Sequence, residues 1–273
     1  MMRLLLLVPV VFHAPTAWLV KQPAIPSTVP AIQELQPAIY FPMVIGLPED
    51  FSPPGTVVID HETEDLNQYT VYQTGQNTVS VTAEAALAGS DYGMVVNLTG
   101  SSDTTYGAKR FFPSWATGIF RTRFYIDPNG IRRTPGLGGN IFLFSTAAGQ
   151  FLGGVSFGMN ETGTSHVIYA TIEHDANRHR ETSSRSISNG PHYIEVEWRR
   201  ATGPRSANGS VSLWVDGRLV DTQDGIDNYH IWTDIGGFAL GATANIPNVS
   251  VGTYYLDELV CNPTGELIGP VQD

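Results

Sequence analysis

The sequence predicts an all-β domain built from two packed antiparallel sheets. Gly and Pro are frequent, at 28 and 18 of the 273 residues, while charged residues make up only 15% of the chain. Short segments of alternating apolar and polar residues follow one another between turn-forming residues, and no stretch shows a sustained helical period. Many short strands joined by turns, with a hydrophobic content of 42%, are typical of a two-sheet sandwich with a substantial core.

The predicted strands lie in the part of the chain that follows Thr56. The first is an apolar run at the start of this part, and Gly, Asn, Asp and Pro separate the later ones. The later strands are predicted at residues 78–83, 93–97, 107–112, 118–126, 140–145, 151–158, 166–173, 180–187, 193–198, 211–215, 236–240 and 253–261.

The clearest strand pattern lies in residues 193–221, YIEVEWRRATGPRSANGSVSLWVDGRLVD. Its first strand alternates apolar with charged residues, Ile194, Val196 and Trp198 against Glu195, Glu197 and Arg199. We therefore expect Trp198 in the core. A second strand ends at Asp216-Gly217, a pair suited to a tight type I′ hairpin turn.

This stretch resembles the laminin-G-like branch of the concanavalin A-like jelly rolls, as found in secreted bacterial proteins. Two further places carry the resemblance, the opening VVIDHETEDLNQYTVYQTG and the closing GTYYLDELV. It covers about residues 56–265 and implies a jelly-roll sandwich of two antiparallel sheets. Members of this group mainly bind sugars or proteins, and only some branches catalyse a reaction.

Composition divides the chain into three parts. In residues 1–20, Arg3 precedes an apolar run, and this pattern resembles a secretory signal. The alternatives are that the start of translation is mis-assigned or that the segment is an arm that is not cleaved. The run is shorter than the ~20 apolar residues that span a bilayer, so we expect a secreted or cell-surface protein without a membrane span in its mature form. Residues 21–55 form a Pro-rich linker or arm, and residues 56–273 form the concanavalin A-like jelly-roll domain.

An apolar patch, residues 39–45, interrupts the Pro-rich arm. One interpretation is an edge strand that docks on the domain. The other is self-assembly, in which the patch inserts into a neighbouring subunit by strand addition.

The charge of the chain argues against one kind of partner, and its cysteine content excludes one kind of cross-link. The net charge of −11 and the pI near 5.0 argue against a nucleic-acid partner, because phosphate binding requires clustered Lys and Arg. Cys261 is the only cysteine, so an intrachain disulfide is excluded, and its apolar surroundings predict a small buried side chain.

Acidic residues at the two ends of the domain are candidate calcium ligands. First and last strands usually pair in jelly rolls, which would bring Asp60 and Glu62 close to Asp257. The resemblance implies that one structural Ca²⁺ joins an early acid to an Asp of the closing strand, and carboxylate oxygens suit this cation. The alternative is that these acids are solvated charges at strand ends.

Aromatic residues near loops are candidate platforms for sugar rings. Loop 221–233 adds polar groups that could bond sugar hydroxyls. The predicted ligand-binding residues are Trp115, Trp214, Asp227, Asn228, Tyr229 and Trp232. Packing in the core or at its rim is the alternative for each of them. Arg132 and Arg133, in the Gly-rich loop 127–140, either meet an acidic glycan or solvate the loop.

Glu195 and Glu197 are candidates for a catalytic pair, because they share a strand face about 6.6 Å apart. Laminarinase-like enzymes of this fold carry an "ExDxxE" acid triplet, and this strand lacks its central Asp and later Glu. Arg199 on the same face would also screen both acids. We therefore expect no catalysis by this pair.

The leading hypothesis is a secreted or surface, non-catalytic module that binds carbohydrate or another surface polymer. The alternative is a structural subunit of an extracellular filament or particle, assembled through its N-terminal arm. A glycan-cleaving enzyme ranks third, because the acid triplet is missing.

Overall fold

The computed structural model describes residues 55–176 and 178–272, without the side chains of residues 110–114. The predicted signal-like segment and the Pro-rich arm up to residue 54, including the patch at 39–45, lie outside the described residues. No helix in the described part is long and apolar enough to cross a bilayer.

The described chain forms sixteen strands and one short 3₁₀ turn, Ala83–Ala85. The strands are β1 (Val57–Ile59), β2 (Val71–Gln73), β3 (Thr78–Thr82), β4 (Gly93–Thr99), β5 (Thr105–Trp115), β6 (Ile119–Asp127), β7 (Gly138–Ser145), β8 (Phe151–Met159), β9 (His166–His174), β10 (Arg178–Glu181), β11 (Arg185–Ile187), β12 (His192–Arg199), β13 (Gly209–Val215), β14 (Arg218–Ile226), β15 (Ile235–Ala244) and β16 (Val251–Asn262).

These strands form two antiparallel sheets. Sheet A has the order β14-β13-β12-β6-β16-β4-β3, and β1 also pairs with β16. Sheet B has the order β10-β9-β8-β7-β15-β5-β2, and β11 also pairs with β9. The predicted fold class, an all-β jelly-roll sandwich, is confirmed. The expected pairing of the first and last strands is confirmed as well, because Val57 lies opposite Cys261.

The hairpin that the sequence predicts most clearly has the expected turn. Asp216 and Gly217 adopt φ of 50° and 75°, as a type I′ turn requires at both central positions. β14 then continues to Ile226, into the segment predicted as loop 221–233. Because β14 is an edge strand with mostly exposed side chains, it lacks the apolar alternation that marks an inner strand.

The core between the sheets is centred on aromatic rings. Trp198 is fully buried, and its ring centroid lies 4.8 Å from that of Phe144 and 6.0 Å from that of Phe142. Its indole N–H donates to the carbonyl oxygen of Thr171 on β9 at 2.8 Å. Gly153 makes room for the indole, since a methyl group there would lie 2.7 Å from the indole nitrogen. Trp198 therefore links β12 of sheet A to sheet B, through a hydrogen bond to β9 and aromatic packing against β7.

We expect Trp198→Ala to lower the free energy of unfolding by about 3–5 kcal/mol, because it opens a cavity and leaves the Thr171 carbonyl unpaired. Trp214→Ala is the matched control, since Trp214 is half-buried on the outward face of sheet A. The control should cost about 1 kcal/mol through its lost contact with Arg121. Chemical denaturation measures both. Equal losses would contradict the central role of Trp198.

Candidate functional site

The outward face of sheet A holds a closed ion-pair network. Arg121 on β6 donates to Glu195 at 2.8 Å and to Glu197 at 2.5 Å, and all three side chains are buried. The C-terminal segment covers this face, where the backbone N–H groups of Ile268 and Gly269 each donate to Glu195 at 2.9 Å. Both carboxylates are neutralised and shielded from water, so this pair is unsuited to catalysis.

The predicted calcium ligands lie near one another but bond to other groups. Asp257 is fully buried and accepts from the His61 imidazole at 2.9 Å and from the Leu87 N–H at 2.9 Å. Glu62 accepts backbone N–H groups from residues 91 and 92, and Asp60 bonds to a glutamine side chain. No group of three or more His, Cys, Asp or Glu side chains among the described residues has an arrangement that would hold a metal ion. The calcium site therefore stays a prediction, which dialysis against EDTA would test through the melting temperature.

Three of the predicted sugar-binding residues have buried side chains. Trp115 and Trp232 are only 3% and 1% exposed. The indole N–H of Trp232 donates to the carbonyl oxygen of residue 117 at 2.9 Å. Asn228 is fully buried and binds backbone groups of residues 199 and 201. These side chains hold loops together and offer no surface for stacking a sugar from outside.

The other three predicted residues are half-buried. Trp214 lies under the Arg121 guanidinium, 4.7 Å from its ring centroid, and Tyr229 lies under Arg200 at 4.0 Å. Asp227 lies in the same loop as Tyr229, and one of its carboxylate oxygens is buried without a hydrogen bond. Trp214 and Tyr229 are on different elements, and the structure does not bring the six residues together into one site.

A different cleft opens at one end of sheet B. It has a volume of about 510 Å³, within the ~300–1,000 Å³ range of ligand sites. Three segments surround it, residues 136–138, 158–162 and 181–184, and β9 contributes Val167 and Tyr169. The cleft is therefore made by strand ends and the loops that join them.

Part of the cleft lining is glycine backbone, and we call the part formed by Gly138 and Gly158 the floor. A Cβ atom on Gly158 would lie 2.8 Å from the Cα of Gly138, and one on Gly138 would lie 3.0 Å from the Cα of Gly158. These two glycines face each other on paired strands, β7 and β8. A larger residue at either position would push the strands apart, so the floor stays free of side chains.

One wall of the cleft carries Tyr169 and Glu181, and Glu173 and His179 lie next to them outside the cleft, as part of one cluster. Thr171 on β9 pairs with Glu181 on β10, and Glu173 pairs with His179. Residues two apart on a strand share a face, so Tyr169 and Glu173 flank Glu181 diagonally on the outward face of sheet B. The His179 imidazole lies 3.6 Å from the Glu181 carboxylate.

The two carboxylates in this cluster differ in environment. Glu173 is half-buried, and burial raises the pKa of its carboxyl group, while His179 acts in the opposite direction. The Glu181 side chain is 47% exposed at the edge of the cleft. A carboxyl group whose pKa is raised by burial thus lies beside a more exposed carboxylate, an arrangement that suits proton transfer.

Sequence analysis did not single out this cluster. Tyr169 and Glu181 fall inside predicted strands, as ordinary polar positions of the alternating pattern. The observed β10 and β11 also divide the segment predicted as one strand at residues 180–187. Only the register between β9 and β10 shows that the side chains of Tyr169 and Glu181 lie on the same wall of the cleft.

No family model matches the chain, and no curated protein matches it. Solved structures do resemble it. An endo-β-1,4-glucuronan lyase from the fungus Trichoderma reesei is 15% identical with a TM-score of 0.58, covering 81% of this chain and 100% of the lyase. The cellulose-induced protein Cip1 is 16% identical with a TM-score of 0.54, covering 78% and 99%. The alginate lyase Aly36B is 12% identical with a TM-score of 0.52, covering 81% and 100%.

At these identities the likeness shows the fold, which agrees with the resemblance to concanavalin A-like jelly rolls; the laminin-G-like branch stays a prediction. The likeness also corrects two predictions. A non-catalytic binding module and the absence of enzymatic activity were expected because of the fold and the missing acid triplet. Polysaccharide lyases share this sandwich, so both predictions are contradicted.

We expect Arg121→Met to lower the free energy of unfolding by about 3–5 kcal/mol, because it leaves the buried Glu195 without a counter-ion and Glu197 with only the more exposed Arg199. Arg199→Met is the matched control, since Arg199 also bonds to Glu197 but is 47% exposed. The control should cost less than about 1 kcal/mol. Urea denaturation of both variants provides the comparison, and an unaffected Arg121 variant would disprove the role given to the network.

Proposed function

We propose that this chain is a glycan-cleaving enzyme that acts in the cleft at the end of sheet B. The observation that carries the proposal is the position of Tyr169 and Glu181 on one cleft wall, with Glu173 just outside the cleft on the same face of the sheet. Its carboxyl groups lie beside a cleft of about 510 Å³, which is large enough for sugar residues. The fold shared with two polysaccharide lyases supports the same class of reaction.

Breaking a glycosidic bond requires one group that donates a proton and another that accepts one. Glu173 suits the donor role, because burial raises the pKa of its carboxyl group. Glu181 suits the acceptor role, because its carboxylate is accessible and lies beside the His179 imidazole. The backbone positions of diagonal neighbours on paired strands are about 7–8 Å apart, so two Glu side chains at these positions can approach the same glycosidic bond. Tyr169 would bind the sugar through its hydroxyl group.

Two reactions are open to such a pair. In hydrolysis the acceptor activates water, and in β-elimination it removes the proton next to a sugar carboxylate. The lyases among the similar structures favour elimination as the second candidate. Both reactions create new chain ends, but only elimination leaves an unsaturated sugar that absorbs ultraviolet light.

We expect the full chain to cleave at least one polymer in a panel of alginate, glucuronan, an uncharged β-glucan and partially deacetylated chitin. Glu181→Gln should lower kcat/KM about 10²–10⁴-fold through loss of the proton acceptor. Tyr169→Phe should lower it about tenfold through loss of one hydrogen bond. New chain ends and ultraviolet absorbance are the two measurements.

The matched controls are Glu266→Gln and Tyr72→Phe, which change exposed residues that do not line the cleft. Both should keep the activity of the unaltered chain. If no polymer is cleaved, or if Glu181→Gln is as active as Glu266→Gln, the proposed function is wrong.

We expect Glu173→Gln to increase stability at neutral pH. The pKa of Glu173 is raised in the folded chain, so folding binds a proton between the ordinary pKa and the raised one. The free energy of unfolding therefore falls as the pH rises from the ordinary pKa of a Glu carboxyl group to the raised pKa of Glu173. The amide stays neutral and removes the loss. Denaturation at mildly acidic and at neutral pH measures the change, and an unchanged pH dependence would contradict the environment described for Glu173.

A further inference from the structure

Among the described residues that line the cleft, every charged side chain is negative. Glu161 and Glu181 are the charged residues among them, and the remaining lining residues are Gly, Leu, Met, Asn, Thr, Val, Tyr and Ser. Glu173 adds a third carboxyl group just outside the cleft, beside Glu181. A polymer with a carboxylate on every sugar would meet like charges at this surface.

Glu161 is held at the rim by a well-defined loop. Asn160 accepts the backbone N–H of Thr164 at 2.8 Å, which closes the turn around Glu161. The N–H of Gly136 on the opposite segment bonds to the carbonyl oxygens of Met159 and Asn160, each at 3.1 Å. A Cβ on Gly136 would lie 2.9 Å from the Glu161 carboxylate, so this carboxylate packs directly on the glycine backbone. The loop therefore places Glu161 at the rim, where its exposed carboxylate lies against the backbone of Gly136.

The arginines of the neighbouring loop do not offset this charge. Arg133 is 7% exposed, and its guanidinium lies 4.6 Å from the Phe157 ring centroid and 5.6 Å from that of Tyr254. Arg132 is exposed, and its backbone pairs with Val251 at the start of β16. Neither arginine lines the cleft, so the expectation that they would meet an acidic glycan finds no support in their positions.

We infer that the cleft selects uncharged glycans, and that Glu161 is the residue that excludes polymers bearing carboxylates. This inference rests on the proposed glycan-cleaving function and names its substrate class. Because elimination requires a sugar carboxylate, an uncharged substrate makes the reaction a hydrolysis.

The hydrolysis balances with Glu181 on the cleft wall and Glu173 beside it. Glu173 gives its proton to the departing glycosidic oxygen as the bond to the anomeric carbon breaks. Glu181 takes a proton from a water molecule whose oxygen bonds to that carbon. The products are two shorter glycans, and the proton held by Glu181 returns to Glu173 through solvent.

The experiment compares the full chain with Glu161→Lys on the same four polymers. We expect the unaltered chain to cleave the uncharged β-glucan at least tenfold faster than alginate or glucuronan, without ultraviolet absorbance. Glu161→Lys should raise binding of the two polyuronates at least tenfold, measured as retardation in gels that contain each polymer. Glu266→Lys makes the same charge change at an exposed residue away from the cleft and should leave the order of preference unchanged.

The outcomes separate this inference from the proposed function. Faster cleavage of a polyuronate by the unaltered chain overturns the inference and leaves glycan cleavage standing. Retardation by uncharged glycan alone, without cleavage, supports the inference and disproves the enzyme. Equal retardation by all polymers, retardation by none, or the same shift in Glu161→Lys and Glu266→Lys overturns the inference.

Discussion

The contact between Trp198 and β9 is the interaction on which the candidate site depends. The indole N–H of Trp198 reaches across the core to the carbonyl oxygen of Thr171 at 2.8 Å. Thr171 lies between Tyr169 and Glu173, and both of these side chains point away from the core. The hydrogen bond therefore holds β9 in place on its core side. The outward face of β9 carries the titratable groups. A rigid strand of this kind holds catalytic side chains more precisely than a loop does.

The chain holds two carboxylate pairs, and their surroundings decide which one is available for chemistry. Glu195 and Glu197 are bridged by Arg121 and covered by the C-terminal segment, so their charges serve the packing of sheet A. Glu173 pairs with His179 across the strands, the His179 imidazole lies 3.6 Å from the Glu181 carboxylate, and the Glu181 side chain is 47% exposed. Both pairs place two carboxyl groups on one face of a sheet, the first along a single strand and the second across two paired strands. Counter-ions and solvent access distinguish them.

The sequence predicts the parts of the structure that depend on local pattern. Alternation places Trp198 in the core, and Asp216-Gly217 sets the hairpin turn, because both follow from neighbouring residues. The candidate site depends instead on the register between β9 and β10, and the polar face of a strand does not specify its partner. Trp115 and Trp232 were assigned to loops by their neighbours, whereas long-range packing buries them. For the same reason, Arg121 could not be recognised as the counter-ion of Glu195.

The shared fold determines where the strands lie, whereas the side chains around the cleft determine which ligands it can bind. The sandwich is shared with polysaccharide lyases at 12–15% identity, which fixes the arrangement of strands and leaves the side chains on them free to differ. The floor formed by Gly138 and Gly158 would admit a sugar chain of any charge, since it presents only backbone. The inferred selectivity is therefore located at the rim, where the Glu161 carboxylate lies against Gly136 and Arg133 is buried against Phe157. The charged residues that line this cleft, Glu161 and Glu181, are both glutamates, and the inferred preference for an uncharged polymer rests on them rather than on the fold.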